Sequence, residues 1–141
     1  MENKKYKKGY TTGVFDMFHI GHLNILQRAK AQCEFLVVGV TTDELCYARK
    51  QKYPIIPQEN RVAIVQAIRY VDQVVLQKNM DKVSAAKEIG CDVIFVGSDW
   101  KGTPSWNKYE KTLAEVGCDV VYLDHTDGIS SSILRERLNQ E

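Results

Sequence analysis

Short apolar runs alternate along this chain with stretches whose apolar positions recur at helical spacing. Gly9 to Phe15 mixes glycine with Tyr10, Thr11, Thr12 and Val14 and predicts a short buried strand before a loop. After Gly21, Leu23, Leu26 and Ala29 build one apolar stripe, so a helix is expected to end near Cys33. Phe35 to Val40 is a continuous apolar run of strand length, the form taken by parallel strands covered on both faces. Thr42 can cap a short helix reaching about Arg49, and the two prolines between Lys50 and Pro57 mark a loop. Glu59 to Tyr70 is then helical in pattern, Gln73 to Leu76 a third strand, Asp81 to Ile89 a helix with Gly90 as its C-cap, and Asp92 to Gly97 a fourth strand. Ser98 to Ser105 reads as a loop, Trp106 to Val116 as a helix and Asp119 to Leu123 as a fifth strand. Beyond the turn residues Asp127 and Gly128, Ser130, Ser131 and Ser132 open a last helix.

Strands alternating with helices imply right-handed crossovers and a parallel sheet covered on both faces. The expectation is one doubly wound, Rossmann-like α/β domain over residues 1–141, with a five-stranded parallel sheet flanked by helices. Ligands of such sheets bind beyond the carboxyl ends of the strands, where the topology switches. Three polar, glycine-bearing stretches fall at that edge: Asp16 to His22, Gly97 to Gly102 and Asp124 to Ser132.

Composition narrows the class without changing this picture. A chain of 141 residues with 44% hydrophobic content can bury the core of one domain. The net charge of +1 gives no global case for a nucleic-acid partner, and Lys4, Lys5, Lys7 and Lys8 read as a solvated, partly frayed terminus. No apolar run approaches the roughly 20 residues that cross a bilayer, so no membrane partner is expected. Cys33, Cys46, Cys91 and Cys118 form no Cys-x-x-Cys pair and suit small core positions in a reducing, cytoplasmic setting.

Chemistry concentrates in Gly13 to His22, Gly-Val-Phe-Asp-Met-Phe-His-Ile-Gly-His, between the first strand and the first helix. His19 and His22 can donate to phosphate oxygens at a helix N-terminus, and Gly21 would let a phosphate approach the backbone. Nucleotidyl transfer suits such a site, because charge grows on the phosphate oxygens and on departing pyrophosphate without a protein nucleophile. The alternative is that one histidine caps the helix and the other is polar surface. No nearby Cys or Glu completes a zinc set, and the Gly-x-Gly-x-x-Gly dinucleotide fingerprint is absent.

The same stretch resembles the His-x-Gly-His signature of the nucleotidyltransferase superfamily. With Ile20 it reads His-Ile-Gly-His as in class I aminoacyl-tRNA synthetases, but those are far longer, and this chain has no Lys-Met-Ser-Lys-Ser. It is most similar to the small bacterial cytidylyltransferases of the glycerol-3-phosphate type. Thr41 to Leu45, Glu59 to Arg61, Ile68 to Asp72, Gly97 to Gly102 and Thr126 to Ser130 carry the likeness across nearly the whole chain. The resemblance implies transfer of CMP from CTP to a small alcohol phosphate, with Mg2+ accompanying the triphosphate, in a homodimer. An ATP-using adenylyltransferase of the same fold is the alternative, and a non-catalytic nucleotide-binding module a further one.

By position the resemblance makes His19, His22, Lys50, Lys52 and Arg61 the catalytic set. It makes Gly13, Val14, Phe15, Asp16, Gly21, Asp99, Trp100, His125, Thr126, Gly128, Ile129, Ser130 and Ser131 the nucleotide-binding set, with no metal ligand. Arg61 is expected near the acceptor phosphate or the triphosphate. Bland readings stand beside these: Asp99 as a turn cap, Trp100 and Trp106 as packing, Ser130 as an N-cap, Arg61 as a surface ion pair. At position 125 relatives usually carry arginine, and histidine offers fewer donors, which leaves the choice of base open.

Overall fold

A computed structural model describes residues 4–126 and 128–139. The elements run β1 (Tyr6–Gly13), α1 (Ile20–Lys30), β2 (Cys33–Thr41), α2 (Asp43–Lys50), α3 (Gln58–Gln66), β3 (Gln73–Gln77), α4 (Lys82–Ile89), β4 (Val93–Gly97), a 3-10 turn (Ser98–Trp100), α5 (Pro104–Glu115), β5 (Asp119–Leu123) and α6 (Ser131–Asn139). Their ends follow local chemistry. Thr42 Oγ1 accepts from the N–H of Leu45 at 3.1 Å, Asp81 Oδ1 from that of Ser84 at 3.0 Å, and Gly90 ends α4 at φ 72°.

The five strands are all parallel in the order β3-β2-β1-β4-β5. This is the doubly wound α/β arrangement, and the strand order reverses between β1 and β4. The core lies in two layers. On one face Leu26 and Ala29 of α1 and Val65 of α3 pack with Leu36, Val38, Val40 and Phe95. On the other, Ala86 of α4 and Trp106 and Leu113 of α5 pack with Tyr10, Val37 and Ile94. All four cysteines are buried free thiols.

Several boundaries differ from the sequence expectation, and four of them have a clear local cause. β1 begins at Tyr6 and takes in Lys7 and Lys8, whose backbone N–H groups donate to the Asp92 carboxylate at 3.2 and 2.9 Å. That half of the basic run is therefore ordered strand. β1 stops at Gly13, because Phe15 takes a left-handed conformation at φ 55° that a strand cannot continue. α3 ends at Gln66, where Ala67 and Ile68 donate three residues back and tighten the chain into turns. α5 starts earlier than expected, since Thr103 caps it and Pro104 occupies its first position. Asp127 lies outside the described residues.

Candidate active site

The loop from β1 to α1 is held in an unusual backbone. Phe15 and Met17 both have positive φ, 55° and 50°, a conformation that costs non-glycine residues energy and clusters at functional sites. Phe15 is buried, and its ring lies edge-on to His22 with centroids 5.4 Å apart. The loop delivers His19 to the N-cap of α1.

The two histidines then cap the helix for each other. Nδ1 of His19 accepts from the N–H of Gly21 at 3.1 Å, and Nδ1 of His22 accepts from the N–H of His19 at 3.2 Å. The rings stack with centroids 3.9 Å apart. An Nδ1 that accepts must be bare, so each neutral ring carries its proton on Nε2. Burial lowers the pKa of both, that of His22 to about 4 with help from repulsion by His19, so both are uncharged donors near neutral pH. Nε2 of His19 is buried without a hydrogen-bond partner among the described residues. A buried donor left unpaired is costly, and a phosphate oxygen would satisfy it.

These rings border a cavity of about 620 Å³ at the carboxyl ends of β1 and β4. Of the residues expected in the site, Gly13, Val14, Phe15, His19, Gly21, His22, Lys50, Trp100, His125, Thr126, Ile129, Ser130 and Ser131 line it. Lys52, Asp16, Arg61, Asp99 and Gly128 do not. Asp99 reaches it indirectly, bonding His125 Nε2 at 2.7 Å. A Cβ on Gly97 would lie 2.9 Å from Asp99 Oδ1 and 3.0 Å from the His125 ring, so with any other residue there this pair would have to shift. Ser130 Oγ accepts from the N–H of Ile133 at the start of α6, and Ser131 Oγ donates to the Asp16 carbonyl at 2.7 Å.

Three of the expected residues make contacts within the protein itself. Arg61 does not line the cavity: it is 1% exposed, and its guanidinium donates to the carbonyls of Ile56, Val14 and Thr41 at 2.9, 2.7 and 2.8 Å and to Asp43 Oδ1 at 2.6 Å. It ties the ends of β1 and β2 to the loop before α3. Asp16 does not line the cavity either. It is buried, accepts from the N–H groups of Ile55 and Ile56 at 2.9 and 2.8 Å, and pairs with Arg135 at 2.5 Å. Its pKa falls below the ordinary carboxylate range: burial alone would raise it, and these bonds together outweigh burial. Gly21 also makes room for the histidine, because a Cβ there would stand 2.9 Å from the His19 ring.

Sequence reading missed Lys82 and Arg49, which also line the cavity. Lys82 is 6% exposed, has no carboxylate partner among the described residues, and makes one long hydrogen bond, 3.4 Å to Thr12 Oγ1. One signal was readable: a lysine in the first turn of a helix opposes the helix dipole. Trp106 and Tyr109 of α5 complete that wall.

The cytidylyltransferase-like family matches residues 10–137. The chain belongs to that family. As a member it is a nucleotidyltransferase. The chain is 38% identical over 133 residues to glycerol-3-phosphate cytidylyltransferase of Bacillus subtilis, covering 94% of this chain and 97% of the relative. An FAD synthase of Thermococcus kodakarensis is 34% identical over 143 residues, covering 98% and 96%. Among solved structures, a lipopolysaccharide core biosynthesis protein of Thermoplasma volcanium superposes with a TM-score of 0.71 at 26% identity, over 86% of this chain and 97% of that one.

Proposed function

We propose that this nucleotidyltransferase transfers CMP from CTP to glycerol 3-phosphate or a similar small alcohol phosphate, releasing pyrophosphate. The observation that carries the reading is the stacked pair His19 and His22, two neutral Nε2 donors at the start of α1, one of them buried and unpartnered among the described residues. A phosphate oxygen of the acceptor attacks the α-phosphorus of CTP. The new phosphorus–oxygen bond forms as the bond to the β-phosphate breaks, and pyrophosphate leaves with the electron pair. The monoester is already ionised near neutral pH, so no protein base is needed. The histidines stabilise charge that grows on the phosphate oxygens, and Lys50 and Arg49 lie where they can neutralise the triphosphate.

Magnesium enters this reading with the triphosphate. Among the described residues no group of three or more His, Cys, Asp or Glu side chains could hold a metal, so the donor set does not fit an ion held by the protein alone. The homodimer implied by the family likeness belongs to the same proposal and is measurable by sedimentation.

Incubation with CTP, magnesium and glycerol 3-phosphate is expected to release pyrophosphate and yield a product with the mass of CDP-glycerol. ATP in place of CTP is the control. The FAD synthase relative keeps adenylyl transfer as a second reading, and a preference for ATP in that assay would replace the first with it.

A further inference from the structure

The two helix-to-strand turns that lead into β4 and β5 are built from the same four residues. Gly-Cys-Asp-Val stands at 90–93 and again at 117–120. Gly90 and Gly117 turn the chain at φ 72° and 75°, and the Asp119 N–H donates to the Asp92 carbonyl at 3.0 Å, so the turns lie side by side. Each aspartate anchors its turn to β1: Asp92 accepts from the N–H groups of Lys7 and Lys8, Asp119 from the Tyr6 hydroxyl. The two cysteines are left facing each other, with Sγ atoms 4.0 Å apart. Cys33, by contrast, donates its thiol to the Ala29 carbonyl.

Neighbouring strands of a sheet run about 4.8 Å apart, inside the Cα separation that a disulfide accepts. Side-chain rotation is then enough to bring the sulfurs from 4.0 Å to a bond of about 2.05 Å. The two thiols are not equivalent. Cys91 is 6% exposed and Cys118 1%. The hydrogen bond between them holds the Cys91 thiol below its ordinary range and pushes that of Cys118 up, so Cys91 is the one that ionises and meets an oxidant.

We propose that Cys91 and Cys118 are an oxidisable dithiol: hydrogen peroxide converts them to a disulfide that staples the crossover from β4 through α5 to β5, and a small dithiol reverses it. The Cys91 thiolate attacks one peroxide oxygen, the O–O bond breaks, and the departing hydroxide takes up a proton as water, leaving a sulfenic acid. The Cys118 sulfur gives up its proton and attacks the Cys91 sulfur; the S–O bond breaks and a second water leaves. The two sulfurs lose two electrons, which reduce the peroxide. The staple joins positions 27 apart, and the segment between them carries Trp100, Trp106 and Tyr109 of the cavity wall. Closing that loop restricts the opening of the wall. None of this draws on the cytidylyltransferase reading.

The test treats the full chain with hydrogen peroxide, alkylates the remaining thiols, digests with trypsin without reductant and maps the peptides by mass. Peptide 88–101 is expected joined to peptide 112–135, about 2 Da lighter than the pair apart, and released by dithiothreitol. Amide hydrogen exchange in α5 is expected to slow on oxidation and to recover on reduction. Cys91→Ala and Cys118→Ala should each abolish the linked peptide, and Cys46→Ala should keep it. Wild type decides the matter even where a variant fails to fold. Thiols that stay reduced or take up oxygen without the link overturn the proposal, as does a link through Cys33 or Cys46. Unchanged exchange in α5 once the bond has formed overturns the staple.

Discussion

The backbone N–H of His19 donates to Nδ1 of His22 at 3.2 Å, so the second histidine closes the helix cap that the first one opens. Capping and phosphate donation, which look like rival roles in the sequence, use opposite nitrogens of the same rings. Removing either ring should therefore cost chemistry and local order together. His22→Ala is expected to lower kcat by about 10²–10³, the usual loss for a donor to developing oxyanion charge, while circular dichroism still reports a folded protein. Near-normal turnover in a folded variant would refute the donor role.

The same burial makes stability depend on acidity. His22 titrates at about 4 when folded against 6.5 for an ordinary histidine, so between those values the unfolded chain binds more protons. Its contribution is fully present above about pH 6.5 and is lost as pH falls toward 4, by roughly 3 kcal/mol at 1.36 kcal/mol per unit. His19 shifts in the same direction. Urea unfolding across that window should show the loss in wild type and a smaller one in His22→Asn. Equal slopes in both proteins would assign the acid sensitivity elsewhere.

Arg61 ties together the floor of the site. Arg61→Ala strands the carbonyls of Val14, Thr41 and Ile56 and leaves Asp43 unpaired, so unfolding free energy should drop by about 3 kcal/mol or more. Arg61→Lys keeps the charge, but a compact ammonium cannot reach four acceptors in one plane, and it should recover less than half of that loss. Denaturation midpoints of the two variants decide this, and wild-type stability in Arg61→Ala would contradict it.

Much of this was legible because local chemistry and tertiary demand agree. Phe35 to Val40 had to be a buried strand, and the motif from Gly13 to His22 pointed to the correct end of the sheet. What stayed hidden shares one cause, since the sequence lists side chains without saying what surrounds them. Arg61 and Asp16 look like phosphate and nucleotide contacts until their polar atoms are seen to be consumed by loop carbonyls, loop N–H groups and Arg135. Lys82 looks like a solvated helix residue until α5 is seen to cover it with Trp106. The pairing of Asp99 with His125 joins residues 26 apart and becomes visible only once β4 and β5 lie side by side.

That pair offers a test at the cavity edge. Gly97→Ala would place a Cβ against both partners, 2.9 Å from Asp99 Oδ1 and 3.0 Å from His125. Both partners are exposed, so stability should change by no more than about 0.5 kcal/mol. Nucleotide binding should weaken by about 1 kcal/mol, roughly fivefold in KM, if the pair helps to form the pocket wall. An unchanged KM for nucleotide in Gly97→Ala would make the pair a surface contact.

Lys82 is buried and lines the cavity, so it predicts an alkaline limit for the binding of an acceptor phosphate there. Burial, and then the charge of Arg49, push its pKa down to about 8, while the groups that face it from β1 and α5, Thr12 and Trp106, carry no charge. A phosphate monoester becomes doubly charged above its second pKa of about 6, so acceptor affinity should be highest between that value and the lysine's own. Bound phosphate favours the charged lysine and moves its titration upward, so the fall in affinity begins above pH 8 rather than at it. Above that point the KM for glycerol 3-phosphate should rise, by at most about tenfold per pH unit for one required proton. Lys82→Arg, charged throughout this range, should flatten the profile even if its affinity is lower. A wild-type KM that stays level through the alkaline range would show that acceptor binding does not draw on the charge of Lys82.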